Sequence, residues 1–158
     1  MADNRNNCPD DYEKLLAENK ERLKELSCIN QTSGIIREQK SIEETLQKIA
    51  LILPKGWQYP EYTAARIRYE DKEYRSAGFM ESQWMQKQKF ETIEDKEGTI
   101  EIYYTKKFST LYEGPFLKEE RDLINNLANM IGGYINSVKA REIINQENTK
   151  KKVSTKES

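Results

Sequence analysis

The chain contains no histidine. That absence removes Ser-His-Asp and Cys-His nucleophile pairs from within the chain. It also removes His-ligated zinc and haem, leaving carboxylate, Cys, Met or Tyr ligation. No histidine of this chain can take a phosphoryl group, so any phosphorelay it serves has its acceptor elsewhere. The two cysteines, Cys8 and Cys28, make neither a metal spacing nor a disulfide framework. Glycine is scarce and scattered, and no Gly-rich phosphate loop is present. No stretch approaches the ~18 apolar residues of a membrane span, and residues 1–20 hold no apolar signal region. The expected setting is cytoplasmic and reducing, with no membrane partner. Charge of one sign is missing as well: 26 basic against 27 acidic residues leave a net charge of −1. A dedicated nucleic-acid binder normally shows a basic face, so that class is set aside. Lys150-Lys151-Lys152 lies in a Ser/Thr/Lys/Glu tail and reads as solvated linker.

What is present is polar. Charged residues make up 34% and hydrophobic residues 36% of 158 positions. This composition predicts one domain with a modest core and long solvated helices. Residues 1–9 read as a disordered leader, 10–40 as an N-terminal helix, 41–146 as the domain with its C-terminal helix, and 147–158 as a polar tail or linker. Leu16, Leu23, Asn30 and Arg37 fall seven apart, and Asn19, Leu26 and Ser33 fill the other seam of a coiled coil. A second stripe, Leu26, Ile29 and Ile36, begins where the first turns polar. The helix can pair with another helix early and lie on the domain later, or pack on its own domain throughout.

Ser41 with Glu44 forms a capping-box pattern ahead of Ile42, Leu46, Ile49, Ala50 and Leu53. Pro54-Lys55-Gly56 ends that helix. Strands are expected at about Tyr62–Tyr69, Glu73–Phe79, Trp84–Ile93 and Thr99–Thr105, as an antiparallel meander. The last helix opens on Glu119, Glu120 and Asp122, where negative charge suits the dipole. It carries an apolar stripe from Leu123 through Ile131 and Ile135 to Val138. Gly132-Gly133 sits inside that stripe. A close backbone approach, a kink or a tolerated weakness would each explain the pair.

No assembled catalytic set is visible. Glu43-Glu44 and Glu119-Glu120 read as surface and capping residues rather than an acid/base pair. One cluster stands out. Trp57, Tyr59, Tyr62, Tyr69, Tyr74, Phe79 and Trp84 crowd beside Arg66, Arg68 and Arg75. Aromatics with arginines can build a pocket for an anionic or planar ligand. The alternative is a sheet covered by helices, with its arginines reaching out to water. If a ligand binds, period-two alternation gathers Tyr62, Arg66 and Arg68 on one strand face, with Tyr74 and Trp84 nearby. The dimer contacts expected are Leu16, Leu23 and Leu26 with Ile131 and Val138 of the last helix.

Three peptides carry a family resemblance: Leu53-Pro54-Lys55-Gly56-Trp57-Gln58-Tyr59-Pro60-Glu61, Thr63-Ala64-Ala65-Arg66-Ile67, and Glu113-Gly114-Pro115-Phe116-Leu117-Lys118-Glu119-Glu120-Arg121 running into Leu123-Ile124. Over roughly Leu23 to Glu142 the chain resembles the GAF-like branch of the GAF/PAS group of sensory domains. The resemblance implies an α+β fold, an antiparallel sheet flanked by N- and C-terminal helices. It implies a non-catalytic regulatory module that acts as a homodimer on a downstream effector domain in cis. Such modules precede histidine kinase cores, sit among PAS repeats, or lie ahead of phosphoenolpyruvate/pyruvate phosphotransferases. A ligand-free dimerisation scaffold is the remaining class. The resemblance transfers no functional residue: the domain proper offers no cysteine for a bilin, no histidine for haem and no cyclic-nucleotide motif. The cofactor is left open.

Overall fold

The computed structural model describes residues 9–157, with side-chain surroundings for 11–150. Cys8, the leader before Pro9, and Ser158 lie outside the described residues. Helix α1 spans Pro9–Arg37 and α2 spans Ile42–Ile52. Short 3-10 turns follow at Leu53–Gly56 and Pro60–Tyr62. Four strands come next: β1 Thr63–Tyr69, β2 Lys72–Arg75, β3 Trp84–Glu91 and β4 Glu97–Tyr104. Helix α3, Lys118–Glu157, closes the described chain. The fold is α+β, with every strand pair antiparallel.

The sheet order is β2-β1-β4-β3, which corrects the expected meander. Turn residues mark where strands end, but they do not say which strands pair. β1 and β4 are central because both are apolar on one face and covered on much of the other. The chain therefore crosses from one sheet edge to the other between Arg75 and Trp84. The β1–β2 connection is a two-residue turn in which Glu70 and Asp71 both take positive φ, 50° and 64°. Turns of that hand match the strand twist, although Asn-Gly usually supplies them.

One sheet face is apolar. Ala65, Ile67 and Tyr69 of β1 share it with Ile100, Ile102 and Tyr104 of β4 and Phe90 of β3. α2 covers the β1–β2 side and α3 the β3–β4 side, and α1 packs outside them on α2, α3 and the first 3-10 turn. Ser41 caps α2 by accepting from the Glu44 N–H at 3.1 Å, as the capping box predicts. Thr45, Leu46, Ile49 and Ala50 are the buried stripe of α2. On α1 the docked stripe is Cys28, Ile29, Thr32, Ile35 and Ile36, whereas Leu26 is 51% exposed and belongs to the outer face.

The paired glycines of α3 differ. A Cβ on Gly132 would stand 3.3 Å from the Glu91 carbonyl oxygen, where α3 crosses the end of β3; nothing lies within 4 Å of the same atom on Gly133. The close approach thus accounts for Gly132 alone. Nearby, Asn136 Oδ1 accepts the Ile93 N–H at 2.8 Å, so α3 also covers the outer edge of the sheet. α3 runs well past the expected end at residue 146, and Ala140–Lys150 are exposed along it. The polar tail expected over 147–158 is helical as far as Glu157, because nothing in its composition breaks a helix.

Candidate functional site

The face of the sheet away from the helices carries the main polar cluster. Alternation sends Arg66 and Arg68 of β1, Glu73 and Arg75 of β2, and Glu101 and Tyr103 of β4 to this side. Arg66 is 3% exposed and Glu101 is 5% exposed. The Arg66 guanidinium donates from Nε and Nη2 to the two Glu101 oxygens at 3.1 and 3.0 Å. Nη2 also donates to the Tyr103 hydroxyl at 3.1 Å, and that hydroxyl donates to Glu101 Oε1 at 2.7 Å. Nη1 lies 2.8 Å from Glu81 Oε1. Arg68 Nε reaches Glu101 Oε2 at 2.8 Å. Burial works against charge on both members of the central pair, and their mutual hydrogen bonds outweigh it. Arg66 is held above its ordinary range and Glu101 below its own. Burial, with the Glu101 charge beside it, pushes the Tyr103 phenol up to about 12. All three keep their neutral-pH states, so the cluster is an electrostatic centre rather than a proton shuttle.

The segment linking β2 to β3 crosses this face. Phe79 packs edge-on to Tyr103 at 5.6 Å between centroids. The Arg66 and Arg75 guanidinium carbons lie 5.0 and 5.2 Å from the Phe79 ring centroid. Beside Arg68 the face opens into a shallow cleft of about 420 Å³ that Lys72, Glu73 and Thr99 also line.

The five expected ligand residues do not converge. Arg66 and Arg68 are together on the open face. Tyr74 pairs with Ile67 and so points to the helices, where it is buried. Trp84 pairs with Tyr104 and joins the same apolar side. Tyr62 sits in the second 3-10 turn, ahead of β1, edge-on to Phe108 and under Lys106. The expectation extended the strand by one residue and took Glu70-Asp71-Lys72 as the turn, whereas the turn is Glu70-Asp71 alone and its pairing sends Tyr74 to the helix side. Glu101, Tyr103 and Glu81 went unnoticed in the sequence. Alternation along β4 puts Glu101 and Tyr103 on one face, but only its pairing with β1 sets them against Arg66.

The dimer residues divide too. Leu16, Leu23 and Leu26 are 51%, 67% and 51% exposed. Ile131 is fully buried and Val138 packs against the core, so both are taken up inside the protomer. α3 is amphipathic toward its own sheet, and that use exhausts the stripe.

The two distinctive joint peptides meet at Glu120, which is 1% exposed. Its carboxylate accepts from the Gln58 N–H at 2.7 Å, Gln58 Nε2 at 3.1 Å, the Tyr104 hydroxyl at 2.8 Å and the Leu117 N–H at 2.8 Å. Burial pushes this carboxyl up, while the four donors hold the charged form. Alongside, Trp57 Nε1 donates to Gln86 Oε1 at 3.0 Å, Gln86 Nε2 donates to Glu113 at 3.3 Å, and Glu113 pairs with Arg121. Arg121 Nη1 then donates to the Lys87 carbonyl at 3.1 Å. These bonds fix the start of α3 to the turn after α2 and to β3. Capping near residue 120 is legible in sequence, but its partner Gln58 is not.

On α1, partial burial and the neighbouring carboxylates of Glu119, Glu120, Glu21 and Asp122 push the Glu25 carboxyl up to about 7. α1 packs on α3, and acidic residues of both helices gather near Glu25. Among the described residues, no group of three or more Cys, Asp or Glu side chains could hold a metal ion. No described helix is long and apolar enough to cross a membrane. The chain matches no family model, no curated protein and no solved structure.

Proposed function

We propose that this chain is a non-catalytic, GAF-like sensory module of a signalling protein, relaying between segments joined to α1 and α3 and working as a homodimer. The observation that carries the reading is the course of those two helices. Glu25 of α1 feels the charges of Glu119 and Asp122 of α3, Cys28 and Leu123 both flank Gly56, and Ile36 and Arg37 share a groove with Met130 and Tyr134. The helices are thus parallel. Asp11–Lys20 of α1 are exposed beyond one end of the contact, and Ala140–Lys150 of α3 beyond the other. The first overhang is about 15 Å of helix and the second about 16 Å, at 1.5 Å per residue. A displacement of one helix against the other is a movement both ends of the domain would feel.

Leu16, Leu23 and Leu26, with Tyr12 ahead of them, form an exposed apolar seam at coiled-coil spacing on the side of α1 away from the domain. A parallel homodimer along this seam brings matched ends together, which suits a relay to an effector domain in cis. Sedimentation at tens of micromolar tests it. A dimer is expected for the natural chain and a folded monomer for Leu23→Glu. A natural chain that sediments as a monomer, or a variant that remains a dimer, defeats the reading. The ligand-free scaffold draws on a separate observation, that the Arg66 donors are already satisfied within the chain.

A further inference from the structure

We propose that the arginine face is a binding site for a small planar monocarboxylate, and that Phe79 and Glu81 occupy that site in cis until such a ligand displaces them. The inference rests on the sensory reading and specifies its ligand.

The charges of the face make the first part of the argument. Arg66, Arg68 and Arg75 meet Glu73, Glu81 and Glu101. Glu73 and Glu101 are strand residues and cannot leave without breaking the sheet. Glu81 is not in a strand. Its side chain is 60% exposed, yet it contacts a guanidinium that is only 3% exposed. Lifting Glu81 away leaves three arginines against two carboxylates on this face, an excess of one positive charge that a single negative charge restores.

The shape of the segment makes the second part. It is held firmly only at its two ends. The Ser76 N–H donates to the Ala65 carbonyl at 2.9 Å and the Ser76 hydroxyl accepts the Ala65 N–H at 2.9 Å. At the far end the Ser82 hydroxyl donates to the Tyr104 carbonyl at 2.6 Å. Between these points Gly78 turns at φ 63°, and the side chains of Phe79 and Glu81 contact the arginine face. Two residues apart, they lift together. What they vacate is an aromatic slot against Arg66, Arg75 and Tyr103, with an ion-pair position on Arg66 Nη1 at its end. A flat ring bearing one carboxylate fills both. The cleft beside Arg68 opens onto the same face and supplies an approach.

A tethered occupant competes at high effective concentration, so the apparent affinity of the intact chain is reduced by the small fraction of open molecules. Glu81 itself is more than half exposed and regains water when it lifts, while Glu101 stays on Arg66, which keeps opening accessible.

Calorimetric titration with sodium benzoate tests the proposal, with acetate and inorganic phosphate as comparison probes. The full chain and its Phe79→Ala/Glu81→Ala variant are compared at one pH. The variant is expected to bind benzoate at least tenfold more tightly than the natural chain, and acetate and phosphate more weakly than benzoate. In the natural chain, millimolar benzoate is expected to move the Phe79 ring resonances toward those of a solvated phenylalanine, because the ring leaves Tyr103. The resonance measurement stands even if the double variant fails to fold. A folded variant with no benzoate binding overturns the proposal, as does benzoate binding that leaves the Phe79 ring resonances unaltered. Preference for phosphate would also overturn the carboxylate assignment. None of these results bears on the Leu23→Glu dimer test, so the site and the relay fail separately.

Discussion

The two faces of the sheet are built from neighbouring residues of the same strands and are held together by different physics. On the helix side Ile67, Ile100 and Ile102 are fully buried among α2 and α3. One residue away, Arg66 and Glu101 are almost as buried, and a short irregular segment rather than a helix covers them. Close packing without charge rewards every methylene and tolerates no gap. A buried ion pair gains much less, because each ion has given up its water. The first arrangement is stable by volume, the second only while both partners are present. The ligand exchange proposed above requires a face of the second kind.

The largest expected effect separates the faces by rescue. Arg66→Ala leaves Glu101 buried without its partner and is expected to cost about 3–5 kcal/mol. The pair Arg66→Met/Glu101→Leu should recover most of that loss in denaturant unfolding. Ile67→Ala is expected to cost about 2–5 kcal/mol, and adding Ile100→Ala should deepen the loss. If the double substitution on the arginine face is as damaging as Arg66→Ala alone, the contrast between the faces collapses.

A smaller effect tests the acidic residues gathered near Glu25. The Glu25 carboxyl is raised to about 7, so the folded state takes up its proton before the unfolded state does. The resulting stabilisation is fully present below the ordinary carboxylate range near 4.3 and is lost as pH rises through about 7. Glu101 and Glu113 are shifted the other way and oppose it at lower pH. The melting temperature is therefore expected to rise as pH falls from 8 to about 5.5. Glu25→Gln should flatten that rise. A wild-type midpoint that falls over the same interval would show that burial and the neighbouring carboxylates do not hold the Glu25 carboxyl up.

The smallest effect concerns the glycine pair. Gly133→Ala meets open space and should stabilise α3 by up to about 1 kcal/mol. Gly132→Ala presses on the Glu91 carbonyl and should gain less or lose. Equal gains at both positions would remove the close approach as the reason for Gly132. Thermal melts of the two variants at one pH decide it.

Local chemistry made much of the secondary structure legible. Ser41 and Glu44 marked the start of α2, and alternation in Tyr62–Tyr69 and Thr99–Thr105 marked two strands and their faces to within a residue or two at their ends. The boundaries of β2 were less legible, because its four residues end before the run toward Phe79 suggests. The candidate site was half legible. Arg66 and Arg68 share a face by period two alone, but the carboxylates that neutralise Arg66 come from positions 15 and 35 residues further on. Tyr74 and Trp84 were drawn to the wrong side because an aromatic cluster in sequence carries no information about pairing.

By itself, then, the sequence determined the missing histidine chemistry, the coiled-coil spacing of the α1 leucines and the alternation that divides each strand into two faces. These are properties of composition and of local periodicity, and they hold in any fold that keeps the helices and strands. Only the tertiary structure decided that β1 lies between β2 and β4. Only it placed Phe79 and Glu81 over Arg66, consumed Ile131 in the core and set α1 parallel to α3. Each depends on contacts between distant segments, where the free energy comes from burying surfaces together, and no local pattern encodes which surfaces will meet.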